Sequence, residues 1–264
     1  MGAAWFGAAW FGAAWADTSG GSGGPATFAM RADQPLAEIP VPPNLAAKFR
    51  ESEWDADLLA STILPEFLSV KVGPKTWDQS IVLPAPQPIT QAIIDELLEL
   101  AVTERPEALG EIVQQHQNFQ ICWLQLLSIT HVSHPQTFFL MKLAARVGEL
   151  AMIILKRRNP TRARPSQICP TLYPPVPVPG HASYPAGHAL IGQLTSECLS
   201  DLVPAYKVPL DKLAERVGLN RVIAGLHFHQ DVEVGWDVGR QLHPFMQACS
   251  LYRATVKAAQ SEWT

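Results

Sequence analysis

The sequence predicts an all-α helical bundle, and three observations lead there. From Ile89 onward, apolar residues recur at three- and four-residue intervals over long stretches, the period of a helix with one buried face. The alternation of β-branched and polar residues that marks a half-buried strand is nearly absent. Proline gathers in two places, residues 25 to 86 and the loop from Asn159 to Pro185, where it opposes both regular helix and regular sheet.

Taken in order, residues 1 to 24 hold "GAAWFGAAWFGAAW" and "SGGSGG". A period of five does not bring Trp5, Trp10 and Trp15 onto one stripe of a helix. The repeat lacks the positive start of a secretory signal, and the glycine-serine run has the composition of a flexible linker. It reads as an appendage to the fold, or as a segment that docks a partner or surface. Residues 25 to 86 read as a proline-rich arm with one or two short helices, and residues 87 to 264 as the helical catalytic domain. Within that domain, "ITQAIIDELLELAV" is the first helix, and "PEALGEIVQQHQNFQICWLQLL" continues the pattern from Pro106. Pro135 opens "PQTFFLMKLAARVGELAMIILKRR", about six turns long. "GHALIGQLTSECLSDLV" ends before Pro204, "PLDKLAERVGLNRVIAGLHFH" follows, and "DVGRQLHPFMQACSLYRATVKAAQ" closes the set.

The bulk numbers exclude several classes. The chain has 264 residues, 47% of them apolar and 17% charged, enough for a substantial core in one large domain or two small ones. A net charge of −4 gives no footprint for nucleic acid and no basic face for an anionic membrane. Cys122, Cys169, Cys198 and Cys249 are dispersed and form no zinc-ribbon or thioredoxin-like pair. No segment supplies the roughly 18 to 20 uncharged apolar residues of a membrane span. The best stretch, Thr137 to Leu155, is interrupted by Lys142, Arg146 and Glu149. The catalytic part is therefore expected to be soluble, with cytoplasm and periplasm both open as compartments. The helical surfaces leave room for a homodimer that nothing local specifies. Trp54, Trp77, Trp123 and Trp236 read as core or interface aromatics.

Three stretches break the pattern of apolar helices with solvated faces. "LKRRNPTRARP" places five of the twenty basic residues in eleven positions at a helix C-terminus. The helix dipole accounts for Lys156, Arg157 and Arg158, but Arg162 and Arg164 lie beyond the helix. "SYPAGHAL" sets a turn at Pro185 and Gly187 and puts His188 where the next helix begins. Free backbone N–H groups there bind anions, and an imidazole there can move a proton; the plain alternative is an incidental histidine beside a cap. "NRVIAGLHFHQDVEVG" sets Arg221, His227, His229 and Asp231 in an otherwise apolar run. Three readings compete for it: a metal cluster, a histidine nucleophile at an oxyanion site, and a buried structural network. If the run is helical, His227 and Asp231 lie one turn apart on one face, and the carboxylate fixes the imidazole tautomer. Arg221 is then about 120° away and reaches the same ligand only through a distortion at Gly225. "HFHQD" begins like an H-x-H-x-D-H metal motif but has Val232 at the last position, and converging arginines repel a cation. No metal is expected.

Read together, the stretches give R-x6-R-P, P-A-G-H and R-x5-H-x3-D, in that order. This arrangement over residues 135 to 240 resembles the type-2 phosphatidic-acid phosphatase and vanadium haloperoxidase superfamily, whose pattern is K-x6-R-P, P-S-G-H and S-R-x5-H-x3-D. The resemblance implies an all-α fold and a role for each matching position. His227 is the implied nucleophile, His188 the acid and base, and Asp231 the residue that orients His227. Arg157, Arg164, Arg221 and the Gly187 amide hold the oxyanion. Lys156 replaces Arg157 only if the turn absorbs one extra residue. His181, Ala186 and His229 are further candidates for the pocket. Ala186 and Asn220 stand where the family has serines, and loss of the first removes a hydrogen bond worth about 1 to 3 kcal/mol to a charged ligand.

Two enzymes fit. A phosphatase takes a small phosphorylated substrate and needs no cofactor; a haloperoxidase holds vanadate on His227 and takes peroxide and a halide. The short separation of the second and third motifs and "RVIAGLH" resemble the compact acid phosphatases. His181, seven residues before His188, and "GHA" resemble the bromide-oxidising members. A non-catalytic oxyanion-binding or scaffold protein is the third reading.

Overall fold

The computed structural model describes residues 44–50, 53–158 and 161–263; the aromatic repeat, the glycine-serine run and the start of the arm lie outside the described residues. The chain divides into two compact units, Met1–Asp55 and Ala56–Thr264. In the first, the Phe49 and Trp54 rings meet edge to face at 5.9 Å. The second is all-α. Among its described residues no strand forms, and Val72 and Lys75 make an isolated bridge.

Short helices α1 (Ala56–Ala60), α2 (Leu64–Ser69) and α3 (Trp77–Ser80) open this unit. In residues 56–86, Phe67 stacks on Trp77 at 5.6 Å, both fully buried with Ile63 and Ile81. Then come α4 (Gln91–Thr103), α5 (Arg105–Asn118), α6 (Ile121–Leu127) and α7 (Pro135–Arg158). The expected run from Pro106 to Leu127 is broken at Phe119 and Gln120. Phe119 turns inward onto Trp123, and the Gln120 amide is committed to Lys142 Nζ and the Met141 carbonyl.

Lys142 and Arg146, the charges that interrupt the apolar run of α7, are buried against one partner. Asp57 of α1 lies 3.1 Å from Lys142 Nζ and 3.2 Å from Arg146 Nη2. They are ties between helices.

After α8 (Pro165–Ile168) comes the central helix α9 (Gly187–Ser200), packed on α7, α10 (Lys207–Ile223) and α11 (His229–Ala248). It is buried around nearly its whole circumference, as a helix hydrophobic on all sides must be. Glycines let α11 lie against it: a Cβ on Gly235 would sit 2.6 Å from the Ala186 carbonyl, and one on Gly239 2.7 Å from that of Leu190. The expected last helix is two. It breaks at Cys249, where Glu66 of α2 accepts the Ser250 N–H at 2.6 Å and so caps α12 (Ser250–Ala259).

Trp77 and Trp123 are buried core aromatics, Trp236 is half-buried, and Trp54 is exposed. The four cysteines are unpaired.

Candidate active site

Three chain segments meet at the N-terminal end of α9. The first is the end of α7. Lys156 is buried, and its Nζ donates to the carbonyls of Ala182 (2.7 Å) and Ser183 (3.0 Å). Arg157, one step of about 100° further round, is exposed. Of the two cations the sequence offers at this helix end, Lys156 is the one turned inward and Arg157 the one turned to the surface. Arg158 also turns away and holds the Ile81 and Asp78 carbonyls.

The second is the loop that follows. Arg164 precedes Pro165 at the start of α8, and its guanidinium is almost wholly enclosed. Nε donates to the His181 carbonyl at 3.1 Å, Nη1 to the Leu226 carbonyl at 2.9 Å and to His227 Nε2 at 3.2 Å, and Nη2 to His181 Nδ1 at 3.1 Å. Residues 183–186 then lead into α9, whose N-cap Ala186 offers no side-chain acceptor. The first-turn N–H groups of a helix have no partners within it.

The third is the stretch from Arg221 to Asp231. α10 ends at Ile223, where Arg105 donates to the terminal carbonyl at 2.9 Å. Gly225 then takes a positive φ of 74°, and α11 begins at His229. His227 therefore lies in a bend between helices, and the expected helical face shared with Asp231 does not exist. Asp231 sits in the first turn of α11, where its Oδ2 accepts the Phe228 N–H at 3.1 Å as a capping carboxylate. The turn at Gly225 ends the helical run between Arg221 and His227, and the Arg221 charge reaches the His227 ring. His229 goes the other way, to Glu96 on α4 at 3.3 Å, so it lies outside the pocket and the two histidines of "HFH" diverge. Asn220 faces Glu111 and Gln115.

The electrostatics of this cluster are lopsided. Arg221 is 1% exposed, and its Nε and Nη1 have no hydrogen-bond partner among the described residues. Burial, then the Arg164 charge, pushes it down to about 9; burial brings Arg164 down to about 10, with Asp231 opposing. Both stay charged at neutral pH. Lys156 is lowered by burial and then by Arg164. His188, whose ring lies 4.7 Å from that of Phe119 at a tilt, is held well below the ordinary imidazole range by burial, then by Arg221 and His116. His227 is lowered by burial, then by Arg164, Lys156, Arg221 and His188. His181 falls to about 4 for the same kinds of reason, and its Nε2 is buried without a partner. The charges of Arg164, Lys156, Arg221 and His188 thus all bear on His227, and those of Lys156 and Arg164 bear on His181, so the six form one charged cluster.

Asp231 is the carboxylate set against them, and it is already engaged. Its Oδ2 takes the Ser183 hydroxyl and the Phe228 amide, and Oδ1 is 3.8 Å from Arg162 Nε. Arg162 also lies 4.7 Å over the Phe228 ring.

Ser183, Arg162 and His116 belong to this neighbourhood without having been singled out from the sequence. Ser183 stood in plain view inside "SYPAGHAL", where attention falls on the proline and glycine. Arg162 was visible only as a charge beyond a helix end, and His116 lies on an element far away in the chain.

A groove of about 480 Å³ adjoins the loop, lined by Ser166, Gln167, Pro170, Tyr173, Pro174 and Val178. Gln167, on its wall, accepts the Arg164 backbone N–H at 2.8 Å. Among the described residues, no group of His, Cys, Asp and Glu is arranged to hold a metal ion.

No family model matches the chain. Among solved structures it is similar to a transmembrane PAP2 type phosphatidylglycerolphosphate phosphatase from Bacillus subtilis, at 18% identity over 76% of this chain and 92% of that one, with a TM-score of 0.34. No described helix of the present chain is long and apolar enough to cross a membrane. The functional reading rests on the site's own residues.

Proposed function

We propose that the chain is a phosphoric monoester hydrolase of the type-2 phosphatidic-acid phosphatase superfamily, working through a phosphohistidine on His227. The observation that carries this reading is Arg221: a guanidinium in the protein interior with two N–H directions unpartnered, beside two further cations and two neutral imidazoles. A buried charge without a partner is costly unless an opposite charge arrives. A tetrahedral anion supplies that charge and oxygens for the N–H groups to hold.

The chemistry follows from the protonation states. Arg164 donates to His227 Nε2, so that nitrogen carries the lone pair and the ring hydrogen is on Nδ1. Bound phosphate competes for the Arg164 N–H and frees the lone pair. Nε2 then attacks phosphorus, and the bond to the leaving oxygen breaks. His188, raised again by the dianion beside it, gives that oxygen its proton. It next takes a proton from the water that attacks the phosphohistidine, releasing phosphate and restoring His227. Lys156, Arg164, Arg221 and the first amides of α9 hold the charge that spreads over the equatorial oxygens, which is the larger part of catalysis in phosphoryl transfer.

The test is release of p-nitrophenol from p-nitrophenyl phosphate, with an acid-labile phosphoenzyme trapped in the wild type and absent from His227→Ala. Turnover without any His227-dependent phosphoenzyme would overturn the mechanism, and no turnover of any phosphomonoester would overturn the reading. The haloperoxidase alternative has one observation in its favour, the buried, unpartnered Nε2 of His181 in the pocket wall. Vanadate would be held by His227 and the same cations and would supply peroxide activation. Bromide oxidation that depends on added vanadate would replace the phosphatase assignment.

A further inference from the structure

The contact expected between His227 and Asp231 is not the shortest one available to either residue. His227 Nδ1 stands 3.5 Å from Asp231 Oδ2 but 3.2 Å from Ser183 Oγ. Oδ2 is occupied, because Ser183 Oγ donates to it in a very short bond and the Phe228 amide donates as well. The hydroxyl has a single hydrogen, which it gives to the carboxylate. Toward His227 it can therefore only accept. The imidazole has its hydrogen on Nδ1, since Arg164 occupies Nε2 as a donor. The directions agree at every atom: Nδ1–H to Oγ, and Oγ–H to Oδ2. Ser183 is fully buried, so water does not compete for either bond.

Its placement is also fixed from three sides. The Ser183 carbonyl accepts from Lys156 Nζ, its amide donates to the Arg162 carbonyl at 3.0 Å, and the next turn is tied to α11 by the Ala186 amide on the Asp231 carbonyl at 2.7 Å. We infer that Ser183 is a positioning residue that links Asp231 to His227, so that the carboxylate acts on the nucleophile through a serine hydroxyl. As Nε2 bonds to phosphorus, positive charge spreads to Nδ1–H. The hydroxyl oxygen, polarised by Asp231, meets that charge, and no proton leaves the ring. This rests on the phosphatase reading for its kinetic consequence, but the hydrogen-bond arrangement is independent of it.

The experiment uses the full chain and two readouts. The first is the Nδ1–H proton and nitrogen resonance of His227 in 15N-histidine-labelled protein, assigned by its loss in His227→Gln. The second is the rate of phosphoenzyme formation in Ser183→Ala, Ser183→Cys, Asp231→Asn and the doubles. The relay predicts that Ser183→Cys, which keeps the volume, shifts the Nδ1–H signal and slows phosphorylation about ten- to a hundredfold, the size of one hydrogen bond to a charged group, with KM little changed. It also predicts that Asp231→Asn adds little once Ser183 is replaced. An unchanged Nδ1–H signal in Ser183→Cys, or additive effects in the double variants, would overturn it. If the wild type turns over no phosphate ester, the phosphatase reading fails alone, and the resonance still decides the relay.

Discussion

Lys156 Nζ lies 2.7 Å from the carbonyl oxygen of Ala182, and that bond draws the end of α7 under the loop that carries Ser183. The neighbouring Arg157 is exposed. Replacing each with alanine separates the two cations. Lys156→Ala is expected to weaken phosphate binding at least tenfold and to loosen the 181–185 segment. Arg157→Ala should change binding less than twofold, because an exposed charge is screened by solvent. Isothermal titration with inorganic phosphate measures both, and equal losses would return Arg157 to the pocket.

The histidines give stability a definite slope with pH. His188 and His227 lie well below 6.5 in the fold, and His181 lies at about 4. Between pH 6.5 and about 4 the unfolded chain binds protons at these positions and the folded chain does not, so stability falls as pH drops through that window. The raised carboxyls of Asp231 and Glu149 act with the opposite sign. Urea midpoints of wild type and His181→Gln across the window isolate the imidazole: the variant should lose less on acidification. Added phosphate should flatten the wild-type slope, since a bound anion favours the protonated rings. A variant slope as steep as the wild type's would show that His181 is already charged in the fold.

Gly235 tests how closely the site and the core are joined. A Cβ there would lie 2.6 Å from the Ala186 carbonyl and 2.9 Å from Ala189 Cβ, so α11 must move away from α9 to admit it. Gly235→Ala should cost about 1 to 3 kcal/mol in urea unfolding, the usual range for overpacking. It should also lower phosphate affinity, because Asp231 moves with α11. Lost stability with undiminished affinity would show the two to be separable.

Gly225→Ala examines the reversal between Arg221 and His227. At φ of 74° an alanine is strained by about 1 to 3 kcal/mol, and Leu172 already stands 3.4 Å from where its Cβ would be. The expected result is a lower melting temperature together with a weaker phosphoenzyme signal. A melting temperature equal to the wild type's would mean that the turn tolerates a side chain.

Much of this was legible in the residues, and what was not has physical causes. Period and proline placement locate the long helices, because burial of one face requires that spacing. They miss the break at Phe119 and the one at Cys249, because those depend on distant partners, Lys142 and Glu66, that no local pattern names. The spacing of motifs brings Arg164, Arg221, His188 and His227 to mind as a set. It leaves Lys156 and Arg157 both open, since a count of residues does not say which of two neighbours on a helix faces inward. It reads His227 as helical, where Gly225 permits a reversal that helical periodicity does not anticipate. Ser183 is invisible as chemistry until its two bonds are seen, because a serine before a proline turn has many ordinary reasons to be there.

The carbonyl of Ala186 pressed against Gly235 has a consequence for anyone reshaping this protein. Where α11 crosses the start of α9, backbone lies almost on backbone, and variation there is closed off. The groove lined from Ser166 to Val178 is, by contrast, a proline-bordered rim of replaceable side chains. Random libraries aimed at new specificities should therefore yield survivors along that rim and almost none along the α9–α11 seam.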